Sequence, residues 1–264
     1  MNSKTLRVLE YNKVIDLLSE HAVSSLAKEK IMAIQPMTDR ESIYKALEET
    51  KQAETAILYL GRDPMESFPD IRRILKRASI GSILGIKELI HTAEVLQTAY
   101  STKKRILEGD KEKYPIIFEI ASALSPQEWL YKEIFRCIED EENISDYASP
   151  ELSNIRRHMQ QAQNKVKDRL SSITHSPQFQ KYLQDPIVTI RNDRYVVPVK
   201  QEHRSSIPGI VHDQSSSGAT LFVEPMSVVE ANNELRELKS KEEHEIERIL
   251  AGLTAMVEEA GQEI

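Results

Sequence analysis

Few residues in this sequence are arranged to break a bond. His212, Asp213 and Ser215 supply the side-chain types of a hydrolytic triad, but no Gly-x-Ser-x-Gly elbow surrounds the serine. Side chains this close in sequence are rarely brought into triad geometry in space. His244-Glu245 lacks the second histidine that a zinc-binding helix places one turn further on. The acidic run Glu139-Asp140-Glu141-Glu142 lacks the ligand spacing of a calcium loop and reads as a solvated loop or helix end. The single cysteine, Cys137, can form neither an internal disulfide nor a thiolate metal site, which suits a reducing, cytoplasmic compartment; beside Phe135 and Ile138 it reads as a core thiol. Gly-x-x-x-x-Gly-Lys-Ser/Thr occurs nowhere, so these 264 residues encode no loop to cradle the phosphates of ATP. No catalytic residue, metal ligand or cofactor site is expected in this chain.

Binding chemistry is better represented. A net charge of −7 argues at first against a polyanionic partner, yet the charge is unevenly distributed. From Ser149 to Ser215 ten lysines and arginines face six acids, a local balance of +4 that leaves −11 for the remainder. Within that stretch Arg191 and Arg194 flank a turn signal, Lys200, His203 and Arg204 lie just beyond the strand that follows it, and Lys181 precedes both. Side chains of these types meet phosphate oxygens without reading base sequence. The bland reading of the same residues is a set of solvated charges on an exposed surface.

The elements that would position these residues follow from periodicity. Up to about Tyr147, apolar residues recur at helical spacing: Val14, Leu17 and Leu18, then Ile43 and Leu47, Ile71, Ile74 and Leu75, and Ile90, Ala93, Leu96 and Tyr100. Breaks are expected at Gln35-Pro36, Gly61 to Pro64, Gly81 to Gly85, Gly109-Asp110 and Ser125-Pro126, with no strand pattern between them. A long helix opens at Ser149-Pro150-Glu151 with a cap, a proline in its first turn and an acid suited to the helix dipole. Its seam is Ile155, Met159, Ala162, Val166, Leu170 and Ile173, and it ends near Ser176-Pro177. A second long helix is expected from Ser227, where Ser227 and Glu230 have capping-box spacing, to the end of the sequence.

Between these helices the period becomes alternating. Ile187–Ile190 and Tyr195–Val199 read as a hairpin around Arg191 to Arg194, with further strands at Gly209–Val211 and Thr220–Val223 and a serine-rich loop, Asp213 to Gly218, joining them. The expected fold is mainly α, with two long antiparallel helices holding a small antiparallel sheet away from the body. Three segments are expected: a helical core over 1–148, an arm over 149–235, and a helix returning to the core over 236–264. The sequence stops inside that helix without a closing cap, which suggests a longer parent chain.

Asp193-Arg194-Tyr195-Val196-Val197-Pro198-Val199-Lys200, Pro208-Gly209-Ile210-Val211-His212-Asp213, and Ser215-Ser216-Ser217-Gly218-Ala219-Thr220-Leu221-Phe222-Val223-Glu224-Pro225 closely resemble the clamp region of the Smr-tailed, second-type bacterial MutS proteins. The opening Thr5-Leu6-Arg7-Val8-Leu9-Glu10-Tyr11 resembles that family's start, so the similarity spans essentially the whole chain. The resemblance implies a lever or core domain interrupted by a clamp, followed in the full protein by a dimerising ABC-type ATPase that uses ATP and magnesium and by a small Smr nuclease-like domain. It also implies action on branched DNA, suppressing homologous recombination, or on collided ribosomes in ribosome quality control, with DNA or rRNA as partner and a homodimer as the assembly. The mismatch-reading domain of repair MutS proteins is not expected: Phe222-Val223-Glu224 carries a Phe-x-Glu string, but late in a strand, where Phe222 reads as core. The rival to this reading is a structural coiled-coil or dimerisation module with no nucleic-acid contact.

Overall fold

The computed structural model describes residues 3–261 and 263–264; Met1 and Asn2 of the polar opening and Gln262 of the final stretch lie outside the described residues. The fold is mainly α with one four-stranded antiparallel sheet, as expected. Two compact units form: residues 1–145 with 250–264, and residues 146–249.

The first unit contains α1 (Ser3–Val8), α2 (Tyr11–Glu20), α3 (Ser25–Met32), α4 (Arg40–Leu60), α5 (Arg72–Ser79), α6 (Ile86–Leu107), α7 (Pro115–Ala123) and α8 (Glu128–Cys137). The expected breaks all fall between these helices, because glycine and proline sit where the chain must leave helical geometry. α6 starts where the Glu88 carboxylate accepts the Gly85 N–H at 3.0 Å, and its stripe of Leu89, Ala93 and Leu96 is buried. α8 packs against α6, with Leu130 and Ile134 fully buried. A second cluster joins Ala56 of α4, Ile106 of α6, Tyr114, and Ala121 of α7. Trp129 is half exposed, and its indole N–H donates to Gln127 Oε1 at 3.0 Å. Cys137 is buried as a core thiol, and burial pushes its pKa up.

The amino-terminal helices depart from expectation. Val14, Leu17 and Leu18 are exposed, and the buried residue of α2 is Ile15 instead. α2 packs chiefly on its short neighbours α1 and α3, so only one narrow side of it is covered. Leu47 is likewise exposed on α4.

The second unit is built on α9 (Pro150–Thr174) and the first part of α11 (Met226–Ala260). Ser149 caps α9 as expected: its Oγ accepts the Leu152 N–H at 3.0 Å and donates to Glu245 of α11 at 2.6 Å. The predicted seam is the packed one, with Ile155 and Ala162 meeting Leu238, and Met159 and Leu235 partly buried beside them. Arg156 bridges Glu242 and Asp146. α11 begins one residue earlier than expected, directly after a strand, because the Met226 N–H still bonds the Pro208 carbonyl. The Ser227–Glu230 capping box is therefore not what starts this helix. At 35 residues and a rise of about 1.5 Å each, α11 is roughly 52 Å long.

The sheet comprises β1 (Thr189–Arg191), β2 (Arg194–Lys200), β3 (Gly209–Gln214) and β4 (Thr220–Pro225), in the order β1-β2-β4-β3 with every pair antiparallel. The hairpin turn is tighter than its sequence suggested: Asn192 and Asp193 alone make it, both left-handed at φ 50° and 59°, and Arg191 pairs with Arg194 across it. One face of the sheet, carrying Val197, Val199 and Val223, packs on Val166 and Leu170 of α9 and Val228 and Ala231 of α11. Asn232 of α11 fixes β2 from the side: its amide accepts the Tyr195 N–H at 3.3 Å and donates to the Tyr195 carbonyl at 3.1 Å. Two short elements escape the sequence reading, α10 (Pro177–Gln180) and a 3-10 helix over Gln201–Ser206. No helix among the described residues is long and apolar enough to cross a membrane.

Candidate nucleic-acid interface

The six cationic candidates fall into three groups. Lys181, Lys200 and His203 come together. Lys200 closes β2, and its ammonium donates to the Lys181 carbonyl at 3.3 Å. The segment holding Lys181 is drawn there by a bridge between Leu183 and Val199 and by bonds from Gln184 N–H to the Pro198 carbonyl and from Lys200 N–H to the Tyr182 carbonyl. His203, on the 3-10 helix, stacks obliquely on Tyr182 at 5.0 Å between centroids, and Lys181 Nζ lies 4.9 Å from the same ring. Lys181 and His203 thus flank the Tyr182 ring, and Lys200 is joined to them through the Lys181 carbonyl. Among the described residues neither lysine forms an ion pair, whereas His203 has Glu202 at 3.6 Å.

The serine-rich loop reaches the same end of the sheet. Lys200 pairs with Thr220, and the Gln201 N–H bonds the Ala219 carbonyl at 3.0 Å, so the loop preceding β4 borders the lysine. Ser215 Oγ accepts the Thr220 N–H at 3.1 Å and lies 3.3 Å from Ser217 Oγ, while Gly218 takes the left-handed conformation that closes the turn. Ser216 and Ser217 are exposed. An open cleft of about 440 Å³ lies here, lined by Gln184, Lys200, Gln201, Glu202 and Ala219. Ammonium groups, hydroxyls and an amide on an open surface can bind phosphate oxygens; they hold no nucleophile and base in register. His212 is engaged elsewhere, with Nε2 2.5 Å from Glu224 Oε2, so His212, Asp213 and Ser215 form no triad.

Arg191 and Arg194 form the second group and are held internally. Arg194 is 13% exposed and donates to Glu224 Oε1 at 3.1 Å. Glu224 is 1% exposed and accepts Asn232 Nδ2 at 2.7 Å as well as His212, so its carboxylate is satisfied by three partners. Arg191 lies over the Phe222 ring at 4.1 Å and pairs with Asp213 at 3.2 Å. Phe222, read from sequence as core, is half-buried beneath that guanidinium. Arg204 makes up the third group: its guanidinium donates to the Gly209 carbonyl at 2.7 Å and the Ile207 carbonyl at 3.4 Å, fastening the loop before β3.

Tyr182, Gln201, Ser216 and Ser217, not among the sequence candidates, lie at this end of the sheet as well. The pairing of Lys200 with Thr220 brings the serine loop beside the lysine, and the bond from Lys200 N–H to the Tyr182 carbonyl brings the tyrosine.

The second unit therefore defines a class: a pair of long helices capped by an antiparallel sheet with one cationic end. No protein-family model matches the chain. It is 46% identical over its whole length to the Endonuclease MutS2 of Alkaliphilus oremlandii, covering 34% of that protein. It is 47% identical over 97% of its length to the Endonuclease MutS2 of Acetivibrio thermocellus, covering 33%, and 47% identical over its whole length to that of Clostridioides difficile, covering 34%. The chain belongs to the MutS2 family and spans about a third of the length of the curated relatives it matches.

Proposed function

We propose that the second unit is a nucleic-acid-contacting clamp and that the helical first unit is the lever coupling it to an ATPase elsewhere in a full-length MutS2 protein. The observation that carries this reading is the convergence of Lys181, Lys200 and His203 with the serine loop at one end of the sheet. Contacts of this kind grip a phosphate backbone irrespective of sequence, which suits a partner defined by its shape, either branched DNA in the suppression of recombination or rRNA on collided ribosomes. The relatives' name as endonucleases supports a nucleic-acid substrate for the whole protein. The glycine-rich phosphate-cradling loop motif does not occur in this sequence, and in this reading ATP and magnesium belong to the ATPase elsewhere in the full-length protein.

The test is binding of duplex DNA and of rRNA fragments as a function of salt. Each phosphate contact adds about 0.9 to the slope of log K against log salt on duplex DNA. With three contacts, affinity falls about 40-fold between 50 and 200 mM salt; the variant Lys181→Glu/Lys200→Glu should bind more weakly and fall only about 3- to 4-fold. An unchanged slope removes this end of the sheet from the contact. No measurable binding by the wild-type chain at low salt favours the structural coiled-coil reading instead.

A further inference from the structure

The turn between β1 and β2 is held at three points. Asn192 Nδ2 donates to the His212 carbonyl on β3 at 2.9 Å, Lys239 of α11 pairs with Asp193 at 3.2 Å, and Arg191 reaches across Phe222 of β4. Arg191 is itself fixed along its edge: Nη1 donates to the Ile190 carbonyl at 2.8 Å and to Thr189 Oγ1 at 3.2 Å, and Nε lies 3.2 Å from Asp213 Oδ2. The N–H groups of a guanidinium lie in its plane, so these bonds occupy the edge and leave the two faces to other partners. One face rests on the Phe222 ring, 4.1 Å from its centroid. The side chain is still 38% exposed, and what stays open is the face turned away from the ring, together with the Nη2 corner.

We infer that the open face of Arg191 is a stacking platform for an unpaired nucleobase. Its charge is already met by Asp213, so the group is poorly suited to gripping a phosphate. A flat cation held rigidly over a ring is suited to a flat π-surface, and little rotamer freedom is lost when one docks on it. Lys200 selects a nucleotide over an aromatic side chain as the occupant. Lys200 pairs with Thr220, which stands two residues from Phe222 on β4, so Lys200, Thr220 and Phe222 lie on one face of the sheet. At about 3.3 Å per residue, the row holding Lys200 is roughly 7 Å from the row holding Phe222. A single nucleotide can therefore set its phosphate at the lysine and its base on the guanidinium. Inside a duplex both faces of a base are covered by its neighbours, so the platform favours a strand with unpaired nucleotides over a continuous duplex. This inference rests on the reading of the second unit as a nucleic-acid clamp and adds the class of strand that the clamp holds.

Fluorescence anisotropy of the 264-residue chain with two probes of about 20 nucleotides, a thymidine single strand and a blunt duplex, tests the assignment. Stacking one base contributes roughly 5- to 150-fold in affinity. Arg191→Lys keeps the charge and removes the plane, so the ratio of single-strand to duplex affinity should fall at least about fivefold while both salt slopes are kept. Should that variant fail to fold, Phe222 decides: Phe222→Tyr retains a ring under the guanidinium and should retain the ratio, whereas Phe222→Leu should lose it. Wild-type binding to the duplex alone, the wild-type ratio in Arg191→Lys, or equal ratios in Phe222→Tyr and Phe222→Leu overturn the inference and leave the clamp standing. No binding of either probe by the wild-type chain overturns both.

Discussion

Glu224→Ala should destabilise the second unit by about 3 kcal/mol, and the size of that loss follows from how Glu224 is held. Its carboxylate is 1% exposed and accepts bonds from Arg194, Asn232 and His212. Truncation leaves the Arg194 guanidinium, itself 13% exposed, without its counter-ion. Removing one partner of a buried pair costs about 3–5 kcal/mol, and the residual solvent access of Arg194 places the loss at the lower end. Glu224→Gln keeps an acceptor for Asn232 and Arg194 but discards the charge and turns an amide NH2 toward His212, so about 1–2 kcal/mol is expected. The double variant Arg194→Met/Glu224→Leu removes both charges and should recover at least about 1 kcal/mol relative to Glu224→Ala. Urea unfolding followed by far-ultraviolet circular dichroism measures all three. A loss below about 1 kcal/mol for Glu224→Ala, or a double variant as unstable as the sum of its parts, would refute the claim that this network holds the sheet together. The same series separates structure from binding, because Arg194→Met should leave the salt slope for nucleic acid unchanged.

The clasp at the start of α9 gives a pH signature: bonds from Arg248, then Ser149, hold the Glu245 carboxyl at about 2 against a burial effect that raises it. A carboxyl depressed in the folded state stabilises fully above its unfolded pKa, so that contribution is complete above about pH 4.5 and is lost as pH falls toward about 2. Glu245→Gln should flatten this limb of the melting temperature against pH; an identical limb in the variant argues against the clasp. Leu170→Ala, at a fully buried seam position, should cost about 2–5 kcal/mol in urea unfolding. In Gly209→Ala the added methyl would lie 2.2 Å from the Glu224 carbonyl oxygen, so β3 must shift off β4 at a cost of about 1–3 kcal/mol, read by the same assay.

Legibility from sequence tracked how local the determining physics is. Ser149-Pro150 announced α9 correctly because an N-cap and a first-turn proline act within one turn, and its seam was readable because the period survives along the whole helix. The strands were found, with edges displaced by up to three residues, since strand ends depend on pairing partners distant in sequence. The Ser227 capping box misled because ladder pairing carries β4 directly into the helix. In the amino-terminal helices a correct helical period gave the wrong burial: periodicity reveals which residues share a side, and only packing reveals whether anything covers it. At the cationic sheet end, charge type was visible but commitment was not. Arg194 and Lys200 look alike in sequence; one is bound to a buried carboxylate, and the other bonds a backbone carbonyl and, among the described residues, pairs with no acid.

The lone tryptophan gives this protein a convenient optical asymmetry. Trp129 sits half exposed on the first unit, and residues 146–249 contain no other indole, so emission excited at the red edge of the absorption band reports on one unit and is dark to the other. An indole introduced at Phe222, beneath Arg191, would light the silent unit.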